Sequence, residues 1–376
     1  MKFSFYRLQS AFIFSSFIAL LLYACGSNEQ QQSTAASDFY GPDDYTKVTK
    51  TDVHAHIYRS DSAIYEQALK DNVALITINV EVPGEPPIDS QQYFALRQQQ
   101  LSHGDVRWMA TIGSTTINEP GWAEKELSRL KNSFDSGASG IKVWKSFGMT
   151  IKNKKGEFIM IDDPVLDPIF DYLEKNNIPV IGHLGEPKNC WLPLEKMTTN
   201  NDRNYFREHP EYHMFLHPEY PSYDSIISAR DHLLEKHPNL KFIGAHLGSL
   251  EWSVDEIAKR LDKFPNMAVE PAERLGQVQY QTLTDYNKVR DFFIKYQDRI
   301  MYGTDLVVFE SDNADTIKEK AHTLWSRDWN YFTSADSLQF PYLDQKVKGL
   351  QLPKEVVDKI YYKNVEKWYG NRKKSS

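Results

Sequence analysis

The chain has 376 residues, 41% of them apolar and 13% aromatic, with 44 Lys and Arg against 51 Asp and Glu for a net charge of −7. That composition excludes a disordered or fibrous chain, and the length fits one α/β barrel without requiring a second domain. The mild acidity argues against nucleic acid as a partner and leaves a small-molecule substrate as the expected ligand.

Residues 1–24 carry Lys2 and Arg7, then an apolar run over 11–22, and no acid. They read as a secretory signal peptide, because the apolar run is short for a bilayer span. The run ends in Leu22-Tyr23-Ala24-Cys25-Gly26, which resembles the bacterial lipobox, with Tyr23 in place of the usual small residue. Cleavage before Cys25 would leave that thiol as the lipidation site. The expectation is therefore a lipoprotein of the cell envelope, membrane-anchored through Cys25 and facing the periplasm or the surface. Residues 26–37 are polar, Gln- and Ser-rich and without periodicity, so a flexible tether is expected over 25–47 and a folded body over 48–376. Only Cys190 remains in that body, which rules out an internal disulfide.

From Val48 onward, short β-branched runs alternate with segments of helical period, the signature of βα units. Eight strands are predicted, over 50–56, 73–79, 107–112, 140–144, 178–182, 240–245, 266–269 and 299–303. Apolar residues at three-to-four spacing predict helices over 123–134, 164–174, 223–236, 253–264 and 286–296. A last amphipathic helix over 354–368 is expected to cover the barrel wall. The fold class is thus α/β, a (β/α)8 TIM barrel with an inserted aromatic loop region over 186–220 after strand 5 and a C-terminal helix.

The first strand ends Asp52-Val53-His54-Ala55-His56, and residues two apart in a strand share a side. Both imidazoles then enter the barrel mouth together as half of a divalent-metal site. His183, His246 and Asp305 each follow a predicted strand, so all five fall at the C-terminal mouth, the face on which TIM barrels build active sites. Singly, each is as well read as a core histidine or, for Asp305, a helix N-cap. Together they point to metal. Lys142 sits inside the strand Gly140-Ile141-Lys142-Val143-Trp144, where a buried unpaired ammonium is expensive. Either it reaches a carboxylate or substrate anion, or it is carbamylated and bridges two ions. Lys145, an odd step further, is expected to point to the other face.

The ordered set Asp52-Val53-His54-Ala55-His56, Gly182-His183, Gly244-Ala245-His246-Leu247-Gly248 and Tyr302-Gly303-Thr304-Asp305 resembles the amidohydrolase superfamily, in particular its amidohydrolase-related branch of lactonases, hydratases and decarboxylases. The resemblance runs from about Val48 to Gly370. In single-metal members it implies that His54, His56, His183 and Asp305 surround the ion while His246 acts on substrate or water. In two-metal members it implies a carbamylated Lys142 bridging an ion on His54, His56 and Asp305 to a second on His183 and His246. Either version activates water on a divalent metal, with Asp305 shuttling the proton and His246 steadying the oxyanion. Zinc is the first expectation from the nitrogen and oxygen ligands, with manganese or iron also acceptable.

Glu81, Trp144, Glu186, Trp191 and Arg274 are candidate substrate contacts at the mouth. The Arg274 fork would suit a carboxylate, or would pair with Glu270 or Glu273 instead. The expected reaction is hydrolysis of an ester, lactone or amide of a small molecule. The alternative is non-oxidative decarboxylation of an unsaturated or aromatic acid, and a third reading is a binding lipoprotein without catalysis. Association into a homo-oligomer stays open.

Overall fold

The computed structural model describes residues 38–370. The segment expected to be a signal peptide, the lipobox-like stretch and Cys25 lie outside the described residues. Eight parallel strands form one sheet in the order β7-β6-β5-β4-β3-β2-β1-β8. They are β1 (Lys50–Tyr58), β2 (Val73–Ile78), β3 (Val106–Thr111), β4 (Ile141–Val143), β5 (Val180–Gly182), β6 (Phe242–Gly244), β7 (Met267–Val269) and β8 (Leu306–Phe309). The barrel closes through the segment just before β8. Ile300 bridges Val269 in parallel, Met301 N–H donates to Val269 O at 3.0 Å, and Val53 N–H donates to Tyr302 O at 2.9 Å. The predicted eighth strand, 299–303, is therefore extended and paired, while the regular ladder with β1 forms further on, over Ala55–Tyr58 and Leu306–Phe309.

Short β-branched runs suffice here because both faces of a parallel sheet are covered. The barrel interior is filled by Val53, Ile76, Ile78, Met109, Ile181, Ile243, Ala268 and Met301, whereas Ala55, Leu75, Trp108, Ile141 and Val180 face the helix layer. Predicted helix positions hold closely. The helix Tyr223–Lys236 coincides with its expected span, and Trp122–Asp135, Val254–Lys263 and Tyr286–Lys295 differ by a residue or so at their ends. Period-based reading left out Ala63–Lys70, Ile88–Leu101, Leu275–Thr284 and the 20-residue Ala314–Thr333.

Two expectations are corrected. The C-terminal helix does not lie on the wall: Val365, Trp368 and Tyr369 belong to the interior cluster and plug the barrel's lower end. Asn364 Nδ2 donates to Ile300 O at 2.8 Å, and a π-turn over Lys359–Lys363 leaves Ile360 O to accept Tyr302 N–H at 3.1 Å. Residues 38–47, assigned to the tether on composition, pack on the body instead. Phe39 bridges Pro353, Tyr40 Oη donates to Asp358 at 2.7 Å, and the buried Lys50 ammonium holds the carbonyls of Tyr45 and Val48. Aromatic side chains in that stretch supply the apolar area that anchors it.

The insertion after β5 is a chain of short helical turns around one helix, Asn200–Glu208. It is tied down by Asp202, which accepts from Asn189 Nδ2 at 2.7 Å and Gln277 Nε2 at 2.8 Å.

Candidate metal centre

Local irregularity aims the first two ligands. The β1–β2 register shifts between Asp52 and Ala55, a bulge centred on the first histidine. Asp52 anchors that kink, accepting from His54 N–H, Thr304 N–H, Thr304 Oγ1 and Trp325 Nε1. His54 Nδ1 donates to Glu270 Oε1 at 2.8 Å, and His56 Nδ1 donates to Ile78 O at 2.8 Å. A carboxylate and a carbonyl only accept, so the proton of each ring sits on Nδ1 and each Nε2 keeps its lone pair. Both lone pairs face Asp305 Oδ1, at 3.3 Å from His54 and 3.1 Å from His56. Donor atoms of His54, His56 and Asp305 lie within 4.8 Å of one another, the spacing of ligands about one small cation.

A second donor pair stands beside them. His246 Nδ1 donates to Ala272 O at 2.7 Å, which turns its Nε2 lone pair toward His183 Nδ1 at 3.1 Å, and Asp305 Oδ2 lies 3.9 Å from the same Nε2. With that tautomer Nε2 is a ligand or proton acceptor, not a donor to an oxyanion. His246, Leu247 and Asp305 adopt left-handed backbone, with φ of 55°, 59° and 64°. Such conformations persist in non-glycine residues only where the surroundings hold them, and they gather at functional sites.

Burial and then the nearby Lys142 hold His54 far below the ordinary imidazole range; burial and the neighbouring His246 do the same to His183, and burial brings His246 to about 3. Burial works against ionising Asp305, and positive charge on His54, His246 and His56 would pull its carboxyl well below the usual value; with His54 and His246 held neutral, that pull falls to a bound cation. Neutral imidazoles around an ionised carboxylate are the protonation states a divalent cation requires, so the donor set fits one.

Lys142 is buried, with Nζ 3.1 Å from His54 Nε2. Among the described residues no carboxylate lies within ion-pair reach of it, and burial lowers its ammonium to about 8, against the pull of Asp305 and Glu270. Of the sequence alternatives, a carboxylate partner within the described residues is not met, which leaves a substrate anion or carbamylation.

Glu270 is the site residue that sequence reasoning missed, having entered only as a partner for Arg274. Fully buried just past β7, it accepts from His54 Nδ1, from His246 N–H at 3.2 Å and from Ala272 N–H at 2.6 Å. One carboxylate thus orients both histidine-bearing segments. An acid immediately after a strand at the mouth, Val269-Glu270-Pro271, was the available signal.

Above the cluster lies a cavity of about 230 Å³ whose walls include Tyr58, Val80, Val82, Glu85, Trp144, Lys145 and Arg274. Trp144 and Arg274 are where the sequence put them. Arg274 forms neither expected ion pair; its guanidinium donates to Glu273 O at 3.2 Å. Burial opposes its charge, but Asp202, Glu251, Glu273 and Glu186 around it raise it above its ordinary value. Glu186 reaches the rim as the ion-pair partner of Lys145. Lys145 faces the mouth rather than away, because β4 ends at Val143 and strand alternation stops applying there. Glu81 is corrected: Val80 and Val82 on either side of it line the cavity, and Glu81 is taken up by Ser114 N–H at 2.6 Å and Thr115 Oγ1 at 2.6 Å, outside the cavity. Trp191 is corrected as well, its ring standing edge-on to Tyr223 at 5.5 Å to pack the insertion.

Compared with known proteins, the chain matches the family model described as amidohydrolase over residues 110–370. His54 and His56 precede that stretch and rest on geometry alone. No curated protein matches. Similar solved structures include an uncharacterized TIM-barrel protein from Bordetella bronchiseptica, at 14% identity and TM-score 0.47 over 85% of this chain and 100% of that one. A 2,6-dihydroxybenzoate decarboxylase complexed with 2,6-dihydroxybenzoate has 17% identity and TM-score 0.46, covering 86% and 100%. A probable 2-pyrone-4,6-dicarboxylic acid hydrolase from Acinetobacter baumannii has 12% identity and TM-score 0.45, covering 86% and 100%.

Proposed function

The chain belongs to the amidohydrolase family, and from that premise we propose that it is a divalent-metal hydrolase cleaving an ester, lactone or amide bond of a small, acid-bearing molecule. The observation that carries this reading is Asp305, whose Oδ1 lies 3.3 and 3.1 Å from two imidazole Nε2 atoms and whose Oδ2 turns toward a third. His54, His56 and Asp305 would hold one ion; His183, His246 and a carbamylated Lys142 would complete a second position. Zinc suits the nitrogen and oxygen donors best, with manganese and iron as the competing choices.

A divalent cation bound there supplies Lewis acidity, lowering the pKa of water toward about 7 and polarising a carbonyl. Asp305 does the proton work: its carboxylate accepts the proton of the attacking water and returns it to the leaving oxygen or nitrogen. Glu270 keeps His54 in one tautomer and the His246 segment in place, so that no reorganisation is needed during reaction. Trp144, Val80 and Val82 narrow the cavity and exclude bulk water, and Arg274 offers a planar fork to a substrate carboxylate.

The lipobox resemblance supports a companion proposal, that the catalytic body is tethered in the cell envelope through a lipid on Cys25. Incorporation of labelled palmitate that is lost in Cys25→Ala is the expected result.

The test of the reaction is product analysis of zinc- or manganese-loaded protein on a panel of small lactones, carboxylate-bearing esters and N-acyl amides. Hydrolysis of at least one class, abolished by Asp305→Asn, is expected. Release of carbon dioxide from an unsaturated or aromatic acid, with no hydrolysis across the panel, would replace this reading by the decarboxylase one.

A further inference from the structure

In the cavity that Arg274 lines, a second carboxylate stands with one oxygen unpartnered. The segment Val82-Pro83-Gly84-Glu85 is a turn, with Glu85 N–H donating to Val82 O at 3.2 Å and Gly84 at φ 89°. Proline at the second position and glycine in the left-handed third position are what a type II turn demands, so the chain's own stereochemistry fixes where Glu85 emerges. Both ends of the loop are pinned by Gln91, which donates to Pro86 O at 2.6 Å and to Val80 O at 2.7 Å while accepting Val80 N–H at 2.8 Å. Pro86 and Pro87 stiffen the exit from the loop.

The carboxylate so placed lines the metal cavity, on the side of His56 and Asp305, and it interacts with the Tyr58 phenol. Its Oε2 is buried and has no hydrogen-bond partner. An acceptor of this kind loses free energy until a donor reaches it. The Tyr58 phenol beside it engages the carboxylate but leaves Oε2 without a partner, Val80 and Val82 are apolar, and the nearby Asp305 carries a charge of the same sign. What is missing is a donor from the ligand.

Resting on the metal-hydrolase reading above, we infer that Glu85 is a specificity-determining residue: its carboxylate receives a hydrogen-bond donor, a hydroxyl or a protonated amine, carried by the substrate beside the carbonyl held over His54, His56 and Asp305. The preferred substrates are then hydroxy- or amino-acid derivatives rather than unsubstituted ones. A charged acceptor makes the stronger class of hydrogen bond, so a preference of about tenfold is expected.

The test uses product-like carboxylates, which bypass the question of which bond is cleaved. Binding of propionate, 3-hydroxypropionate and β-alanine to the zinc-loaded protein is measured by calorimetry, with metal content and thermal unfolding recorded for every variant. At least one substituted acid should bind about tenfold more tightly than propionate. Glu85→Ala should erase that ratio, the three acids then binding alike. Glu85→Gln separates the two sources, retaining a preference for the hydroxyl and losing one for the ammonium. Equal binding of the three acids to the native protein, no binding of any, or a ratio that survives Glu85→Ala would each overturn the inference. Carbon dioxide release in place of hydrolysis would sink the hydrolase reading and leave these ratios where they are, so the two failures are distinguishable.

Discussion

Glu270 Oε1 accepts the Nδ1 proton of His54 at 2.8 Å, and the same oxygen takes the backbone N–H of His246 at 3.2 Å, so a single buried carboxylate orients two elements on either side of the centre. Glu270→Gln leaves an acceptor but brings an N–H₂ against these donors. The expected outcome is a native fold with divalent-metal affinity reduced about 10- to 100-fold, the usual cost of losing a partner behind a ligand. Titration of the metal-free variant with zinc against a competing chelator measures it. Unchanged affinity would mean that His54 is oriented by its strand alone.

Lys142 supplies the second prediction. Its buried Nζ sits 3.1 Å from His54 Nε2 with no ion-paired carboxylate among the described residues, and with its ammonium lowered to about 8 a fraction of the amine is neutral at physiological pH and able to add carbon dioxide. Elemental analysis should find two ions per chain when loading is done with bicarbonate. Lys142→Met, chosen to keep volume, should hold one or fewer and show no response to bicarbonate. Two ions retained in Lys142→Met would exclude the bridging role.

Most of the barrel and the placing of the candidate metal cluster were legible because they rest on local rules. Strand period brought His54 and His56 together, and strand ends located His183, His246 and Asp305. What escaped depends on contacts between distant segments or on where a strand stops. Glu270 has no local pattern of its own; its role exists only because the end of β7 comes up against β1. Lys145 was misdirected because alternation was carried past Val143, and Glu81 was named while Glu85 went unnoticed because the turn at Pro83-Gly84, not the strand, delivers a carboxylate to the cavity. The barrel plug at Trp368 and the packing of Tyr40 and Tyr45 are tertiary choices among equally amphipathic options.

A third prediction concerns pH. Glu251 is buried, accepts Lys188 N–H at 2.7 Å through Oε1, and has a buried Oε2 with no partner; burial raises its carboxyl from the ordinary range to about 7. The folded state therefore holds this proton more tightly than the unfolded chain. Its contribution is present at low pH and is lost as pH rises between the unfolded value near 4.5 and about 7. Above that window the charged form costs up to roughly 3 kcal/mol. Glu251→Gln imitates the protonated group, so it should raise the melting temperature by several degrees at pH 8 and change it little at pH 5. Equal shifts at both values would show that the carboxyl titrates normally.

The last prediction turns on a missing side chain. Gly303 lies between the closing segment of the barrel and the metal site, and a Cβ built there would stand 2.8 Å from Glu270 Oε2 and 3.0 Å from His54 Cβ. The first contact is closer than real Cβ atoms tolerate, and neither neighbour is free to yield: Glu270 is fixed by Ala272 N–H at 2.6 Å and His54 by the bulge in β1. Gly303→Ala should thus act on the site more than on the fold, because the displaced atoms are those that orient the ligands, while the strand pairing on either side runs through backbone atoms of Met301, Tyr302 and Asp305. Overpacking of this size costs about 1–3 kcal/mol of stability. Zinc affinity should fall at least tenfold, as it does when the partner behind a ligand is lost. Circular dichroism and a zinc titration on the same preparation separate the two effects. A variant that melts normally and binds zinc as tightly as the native protein would show that Glu270 has room to move and does not set the geometry of His54.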